Sequence, residues 1–236
     1  IAPKRYYQPE WETMPADRIR EHQSKLLVEQ VRHVWDNVPY YRKKMEDKGV
    51  TPEDIQSIDD LPKLPFLSKA DLRDAYPLGL MTAPEEEIVR IHSSSGTTGT
   101  PVIIPYTQQD VDDWAEQFGR CYKMAGVTNM DRIHITPGYG LWTAGIGFQN
   151  GAEKIGAMTI PMGPGNTEKQ LQFMIDMKST VLTATAKLSA PVASSPTPSS
   201  RGQMPLTLVS IVTAHSTAST SKSRAMTRSM RMERAI

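Results

Sequence analysis

The sequence predicts an α/β chain: an N-terminal helical segment, then a mostly parallel βαβ sheet, then a disordered tail. Three observations carry this. Apolar residues between Ala16 and Val38 recur at helical spacing. Between Arg132 and Thr185 the pattern runs strand, crossover, strand, helix, strand, the succession that builds parallel sheets with right-handed connections. Composition changes abruptly near Thr185. The divisions are residues 1–85 (helical and loop-rich), 86–185 (α/β) and 186–236 (tail).

In the first segment, Leu27, Val31, Val34, Trp35 and Val38 form one stripe of an amphipathic helix. His22 and His33 lie three turns apart on it, too far to share a metal ion, and read as part of a solvated face. Pro39-Tyr40-Tyr41-Arg42 opens a short basic helix that ends at Gly49. Pro52, Pro62 and Pro65 punctuate a loop-rich stretch, and Ser68-x-x-Asp71 predicts a capped short helix.

The middle segment begins with a strand containing Ile88, Val89 and Ile91, and Val102-Ile103-Ile104 predicts its hairpin partner. Between them lies Ser93-Ser94-Ser95-Gly96-Thr97-Thr98-Gly99-Thr100-Pro101. Glycines let the backbone turn its N–H groups toward an anion, and hydroxyls add donors around the same point, so a polyphosphate is the expected guest. An ordinary surface loop has a similar composition. The string is not a Walker A loop, because no Gly-Lys-Ser/Thr follows the glycines. Nor is it a dinucleotide fingerprint: after Gly145-x-Gly147 the third glycine position holds Asn150, and after Gly138-x-Gly140 it holds Thr143.

Thr107 to Gly126 predicts a helix whose stripe is Val111, Trp114, Ala115, Phe118, Tyr122 and Ala125, with Gly126 as its C-terminal cap. Cys121 reads as helix packing, since nothing nearby activates it. Arg132 to Thr136 alternates like a strand, with His134 on its polar face in a structural role. Gly138-Tyr139-Gly140-Leu141-Trp142-Thr143 follows at that strand's carboxyl end, where open parallel sheets collect ligands. Tyr139 and Trp142 are placed either to line a pocket or simply to cover the core, and the residues alone leave both open. After a crossover (residues 146–156) come a strand at Ala157–Pro161, a helix capped by Thr167-x-x-Gln170 with Leu171, Met174 and Ile175 buried, and a strand at Thr180–Thr185. That last strand is expected to be an unpaired apolar edge.

In the tail, Lys187, Arg201, Lys222, Arg224, Arg228, Arg231 and Arg234 face a single acid, Glu233, amid Ser, Thr, Pro and Ala without any aromatic residue. Such a segment cannot bury enough apolar surface to offset chain entropy. Its spaced arginines without stacking aromatics do not make a nucleic-acid site. The chain as a whole is near neutral, with formal net charge +1, and no apolar run approaches the roughly 20 residues a membrane span needs. Cys121 is the only cysteine, which excludes internal disulfides and fits a cytoplasmic location. The first residues lack both Met and an apolar signal core, so they read as following a missing or processed start. There are no internal repeats and no metal-ligand clusters.

The string Ser94-Ser95-Gly96-Thr97-Thr98-Gly99-x-Pro101 resembles the phosphate loop of the adenylate-forming superfamily. From about Trp11 to Thr185 the chain resembles the N-terminal part of the AMP-forming phenylacetate-CoA ligases. The matching stretches are Val38-Pro39-Tyr40-Tyr41-Arg42, Leu67 to Arg73, Arg90-Ile91-His92 before the loop, Gly138 to Thr143, and Ile160-Pro161-Met162 with Thr167 to Gln170. The resemblance implies a partial adenylation domain that uses ATP, Mg²⁺ and CoA. Phenylacetate attacks the α-phosphorus of ATP to give an acyl adenylate, and the thiol of CoA then displaces AMP. It implies that Ser94, Ser95, Gly96, Thr97, Thr98 and Gly99 cradle the β- and γ-phosphates, and that Tyr139, Gly140, Trp142 and Thr143 line the acyl pocket. A homodimer is usual in the family.

Two residues depart from the family pattern. Thr100 stands where relatives often have Lys or Arg, and Val102 where many place Lys. The superfamily's later Tyr-Gly-x-Thr-Glu motif, which carries a metal-binding acid, and its C-terminal lysine have no counterpart here. The chain is therefore expected to be incomplete and inactive, and the tail to be translated from a shifted reading frame. Translation of the source nucleotides in the other two frames tests the latter: it fails if no Tyr-Gly-x-Thr-Glu emerges.

Overall fold

The computed structural model describes residues 6–94 and 99–184 and, for the backbone alone, 207–210. The chain forms two compact units, Gln8–Val111 and a second built from Asp112 onward together with the first residues to Tyr7. Among the described residues no helix is long and apolar enough to cross a membrane.

The first unit contains helices α1 (Pro9–Glu12), α2 (Ala16–Asn37), α3 (Pro39–Asp47) and α4 (Lys69–Asp74), then strands β1 (Ile88–Ser93) and β2 (Ile103–Thr107). Its core is Val31, Met45, Val50 and Ile55, with Leu27, Trp35, Tyr41 and Leu64 packed around them, so the predicted stripe of α2 faces inward. Pro39 at the start of α3 forces the break after Val38. Arg42 then donates from Nε to the Trp35 carbonyl (2.6 Å) and from Nη2 to the Asp36 carbonyl (2.8 Å), satisfying the last turn of α2. The predicted capping box of α4 is present: Ser68 and Asp71 exchange side-chain and backbone hydrogen bonds. Asp71 also accepts from Tyr40 (2.9 Å) and pairs with Lys44 (2.5 Å), which fastens α3 to α4. These donors hold its carboxyl well below the usual carboxylate range, Lys44 foremost. His33 is exposed, as expected for a solvated face, whereas His22 is half-buried against the ring of Trp11.

The second unit holds helix α5 (Gln108–Met124), strand β3 (Arg132–Ile135), α6 (Ala144–Lys154), β4 (Met158–Pro161), α7 (Thr167–Asp176), β5 (Val181–Ala184) and β6 (Thr207–Ser210), with α5 beginning in the first. The sheet order is β4-β3-β5-β6 and every pairing is parallel, so the predicted βαβαβ unit is present. The core joins Tyr122 of α5 to Ile133 and Ile135 of β3, Phe148 and Ala152 of α6, and Val181 of β5. Helices α5 and α6 approach at glycine: a Cβ on Gly151 would lie 2.2 Å from the Cβ of Phe118.

Several expectations change. Strand β5 is not a free edge, because β6 pairs with it from within the tail. The run Thr207-Leu208-Val209-Ser210 has local β-propensity that the tail's average composition hides. Residues 185–206 and 211–236 lie outside the described residues. His134 is fully buried rather than on a polar face, since a central parallel strand is covered on both sides. Cys121 is exposed rather than packed. Finally, Asn166, not Thr167, caps α7, accepting from Lys169 N at 3.0 Å. The buried residue of that helix is Gln170, while Ile175 is exposed.

Candidate functional site

The hydroxyl-rich stretch connects β1 to β2 in the sequence. The strands pair antiparallel down to Ser93 opposite Ile103. Beyond that pair, Ser94 N–H donates to the Val102 carbonyl and Val102 N–H donates to Ser94 Oγ, both at 2.9 Å. The Ser94 hydroxyl thus closes the hairpin as an acceptor and keeps its own O–H to donate. Gly99 has φ of 126°, a backbone conformation that side chains disfavour. Ser95, Gly96, Thr97 and Thr98, expected to hold phosphate, lie outside the described residues, so only Ser94 and Gly99 of the loop are placed. A cavity of about 620 Å³ in the same unit is lined by residues including His33, Leu78, Met81, Val102 and Tyr106 and includes neither Ser94 nor Gly99.

The second cluster sits at the carboxyl end of β3. Gly138 carries a carbonyl that accepts from Gly145 N (3.0 Å), tying the loop to the first turn of α6. A Cβ on Gly145 would lie 2.6 Å from that carbonyl, so only glycine fits. Gly140 turns the chain at φ 97°, and Thr143 sits at the N-cap of α6 without a side-chain capping bond. The ring of Tyr139 packs against the core of this unit. Its hydroxyl is buried without a hydrogen-bond partner, and burial, with the Glu153 charge adding to it, pushes its pKa up to about 12. Trp142 is 40% exposed and Leu141 55% exposed, so this loop presents apolar surface to solvent.

Beneath the loop lies a network the sequence reading did not anticipate. His134 Nε2 and Gln170 Oε1 are 2.5 Å apart, and Gln170 Nε2 donates to the carbonyls of Gly163 (2.6 Å) and Gly165 (3.2 Å). Burial holds the His134 pKa below the ordinary histidine value, partly offset by the bond to Gln170. The signal in the sequence was Gly163-Pro164-Gly165-Asn166 ahead of Gln170, a turn rich in residues that accept positive φ.

No family profile matches the chain. Among characterised proteins, it is 44% identical over 174 residues to the phenylacetate-coenzyme A ligase of Pseudomonas putida, covering 74% of this chain and 40% of that protein. The chain resembles the phenylacetate-CoA ligases. The Thermus thermophilus enzyme is 40% identical over 187 residues, covering 79% of this chain and 42% of its own length. Among solved structures, 2-hydroxyisobutyryl-CoA ligase in complex with 2-HIB-AMP and CoA superposes with a TM-score of 0.77 at 28% identity, covering 82% of this chain and 42% of that one. An open conformation of the same ligase gives 0.75 at 26%, covering 82% and 43%. The fold is thus that of the adenylate-forming ligases, and the chain spans about two-fifths of the length of the phenylacetate-CoA ligases it matches.

Proposed function

We propose that this chain carries the ATP phosphate loop and the aryl-acid pocket of an AMP-forming phenylacetate-CoA ligase. The identity of 44% over 174 residues supports this reading most directly. In the reaction, a carboxylate oxygen of phenylacetate attacks the α-phosphorus of ATP, and the bond from that phosphorus to the bridging oxygen breaks, releasing pyrophosphate. The sulfur of CoA then attacks the acyl carbon, AMP leaves, and the thiol proton passes to solvent.

The protein's part is positioning and charge stabilisation. Backbone N–H groups and hydroxyls of Ser94 to Gly99 take the β- and γ-phosphates. Tyr139 and Trp142, with Gly140 and Thr143 shaping the loop, hold the aryl ring. Among the described residues no group of His, Cys, Asp and Glu forms a metal site; Mg²⁺ is taken to accompany ATP, where it would neutralise the phosphate charge.

A second reading is a chain that binds without turning over, alone or beside a full-length partner. This second reading concerns the given polypeptide alone, whose sequence contains no Tyr-Gly-x-Thr-Glu motif. Exchange of labelled pyrophosphate into ATP with phenylacetate present separates the two. Binding without exchange is expected, and exchange above background overturns the second reading. Saturable quenching of tryptophan fluorescence by phenylacetate, lost in Trp142→Phe, tests the pocket itself.

A further inference from the structure

The turn Gly163-Pro164-Gly165-Asn166, between β4 and α7, is held in an unusual conformation. Gly163, Gly165 and Asn166 have φ of 70°, 96° and 41°, so the backbone stays left-handed at three of four positions. Asn166 in particular occupies a region L-residues enter at a cost. Something must specify this shape, and the structure supplies it: the Gln170 amide bonds both the Gly163 and the Gly165 carbonyl. Two carbonyl acceptors require the NH₂ end of the amide on that side, because its oxygen would repel them. Oε1 therefore faces His134, whose Nε2 must carry the proton and donate. His134 Nδ1, bare in that tautomer, has no hydrogen-bond partner.

The same turn lies beside the aromatic loop. A Cβ at Gly163 would lie 3.7 Å from Tyr139 Cδ2, and one at Gly138 would lie 3.8 Å from the Cγ of Pro164 and 3.7 Å from Trp142. Gly163 N–H also bonds the carbonyl of Ile135, the last residue of β3 (3.0 Å). The position of the turn is thus transmitted directly to Tyr139 and Gly138.

We propose that Gln170 is a positioning residue: its amide, oriented by His134, fixes the Gly163–Gly165 turn as a wall of the pocket formed by Tyr139 and Trp142, and thereby sets which aryl acids fit. This rests on the aryl-acid reading of that pocket. Gln170 touches no substrate; it acts through two backbone carbonyls.

The test compares the unaltered chain with Gln170→Met, which keeps the side chain's length and loses the two bonds to the turn carbonyls and the one to His134. Backbone hydrogen exchange at residues 163–166 is expected to accelerate roughly tenfold or more while β3 and β5 stay protected. The affinity ratio of phenylacetate to 2-naphthylacetate, read by tryptophan quenching, is expected to fall about tenfold as the wall yields to the larger acid. Unchanged exchange in 163–166 overturns the positioning role, and so does an unchanged ratio. If Gln170→Met does not fold, the unaltered chain decides: slow exchange of both Gln170 side-chain amide protons with water supports the bonds to the two carbonyls, and fast exchange overturns them. Absence of saturable quenching by either acid in the unaltered chain refutes the aryl-acid reading, while the exchange result still decides the role of Gln170.

Discussion

Replacing Gly151 by Ala tests the packing that carries the sheet and hence the loop at the end of β3. The added Cβ would meet Phe118 Cβ at 2.2 Å, the Phe118 carbonyl carbon at 2.9 Å and Gly119 N at 3.0 Å. Carbon atoms rest about 3.5 to 4 Å apart, so α5 and α6 must separate by more than 1 Å. All three atoms are backbone or the root of a side chain, so no rotamer change relieves the clash. Overpacking of this kind costs about 1 to 3 kcal/mol, and the upper end applies here. Alanine recovers about 1 kcal/mol of helix propensity over glycine, leaving a net loss of about 2 kcal/mol. With a urea m-value of about 2 kcal/mol/M, the unfolding midpoint falls by about 1 M. Gly147→Ala is the control. There the Cβ meets ring atoms of Trp114 (2.7 Å) and Phe118 (3.0 Å), which can swing away, so its midpoint falls less. Equal or greater stability in Gly151→Ala, or a larger loss in Gly147→Ala, refutes the reasoning.

Three further outcomes follow from the buried and paired groups. Burial lowers the His134 pKa, so the unfolded chain binds its proton first; this group's contribution to stability is level above about pH 6.5 and declines as pH falls below it, and His134→Asn flattens that limb of a pH-dependent urea titration. Tyr139, with its pKa raised to about 12, ionises after most of the other tyrosines in a 295 nm titration, and Tyr139→Phe removes a late step; because the unfolded chain ionises near pH 10, this group's contribution to stability is lost as pH rises from there through 12. Asp71→Asn and Lys44→Met each lower the unfolding midpoint, and the double variant loses less than the sum, because the two side chains share one bond; strict additivity contradicts the staple between α3 and α4.

Much of this was legible in local sequence. The period of α2 and α5 announced their buried faces, Pro39 and Gly126 their ends, and Ser68-x-x-Asp71 its capping box, because each signal is decided within a few residues. The parallel sheet followed from the alternation of strands and helices. What escaped depended on long-range contacts. The alternation in Arg132–Thr136 suggested a polar face for His134, but burial on both sides of a central strand is set by α6 and α7, not by β3 itself. Gln170 looked like half of a capping box, although its amide is recruited by carbonyls five and seven residues earlier. β6 was hidden because four β-prone residues sit in a tail whose average composition argues for disorder. Of the hydroxyl-rich loop, the sequence showed the run of hydroxyls and glycines, and the fold places Ser94 directly after β1, with β2 beginning at Ile103.

The central claim is that the loop between β1 and β2 binds the phosphates of ATP, and ³¹P NMR of ATP titrated with the chain tests it most directly. The β- and γ-phosphate resonances are expected to shift and broaden saturably, more than the α resonance, and to return to their free positions with the Thr97→Val/Thr98→Val chain at the same concentration. Unperturbed resonances with the unaltered chain, or the same perturbation with the double variant, would contradict the account.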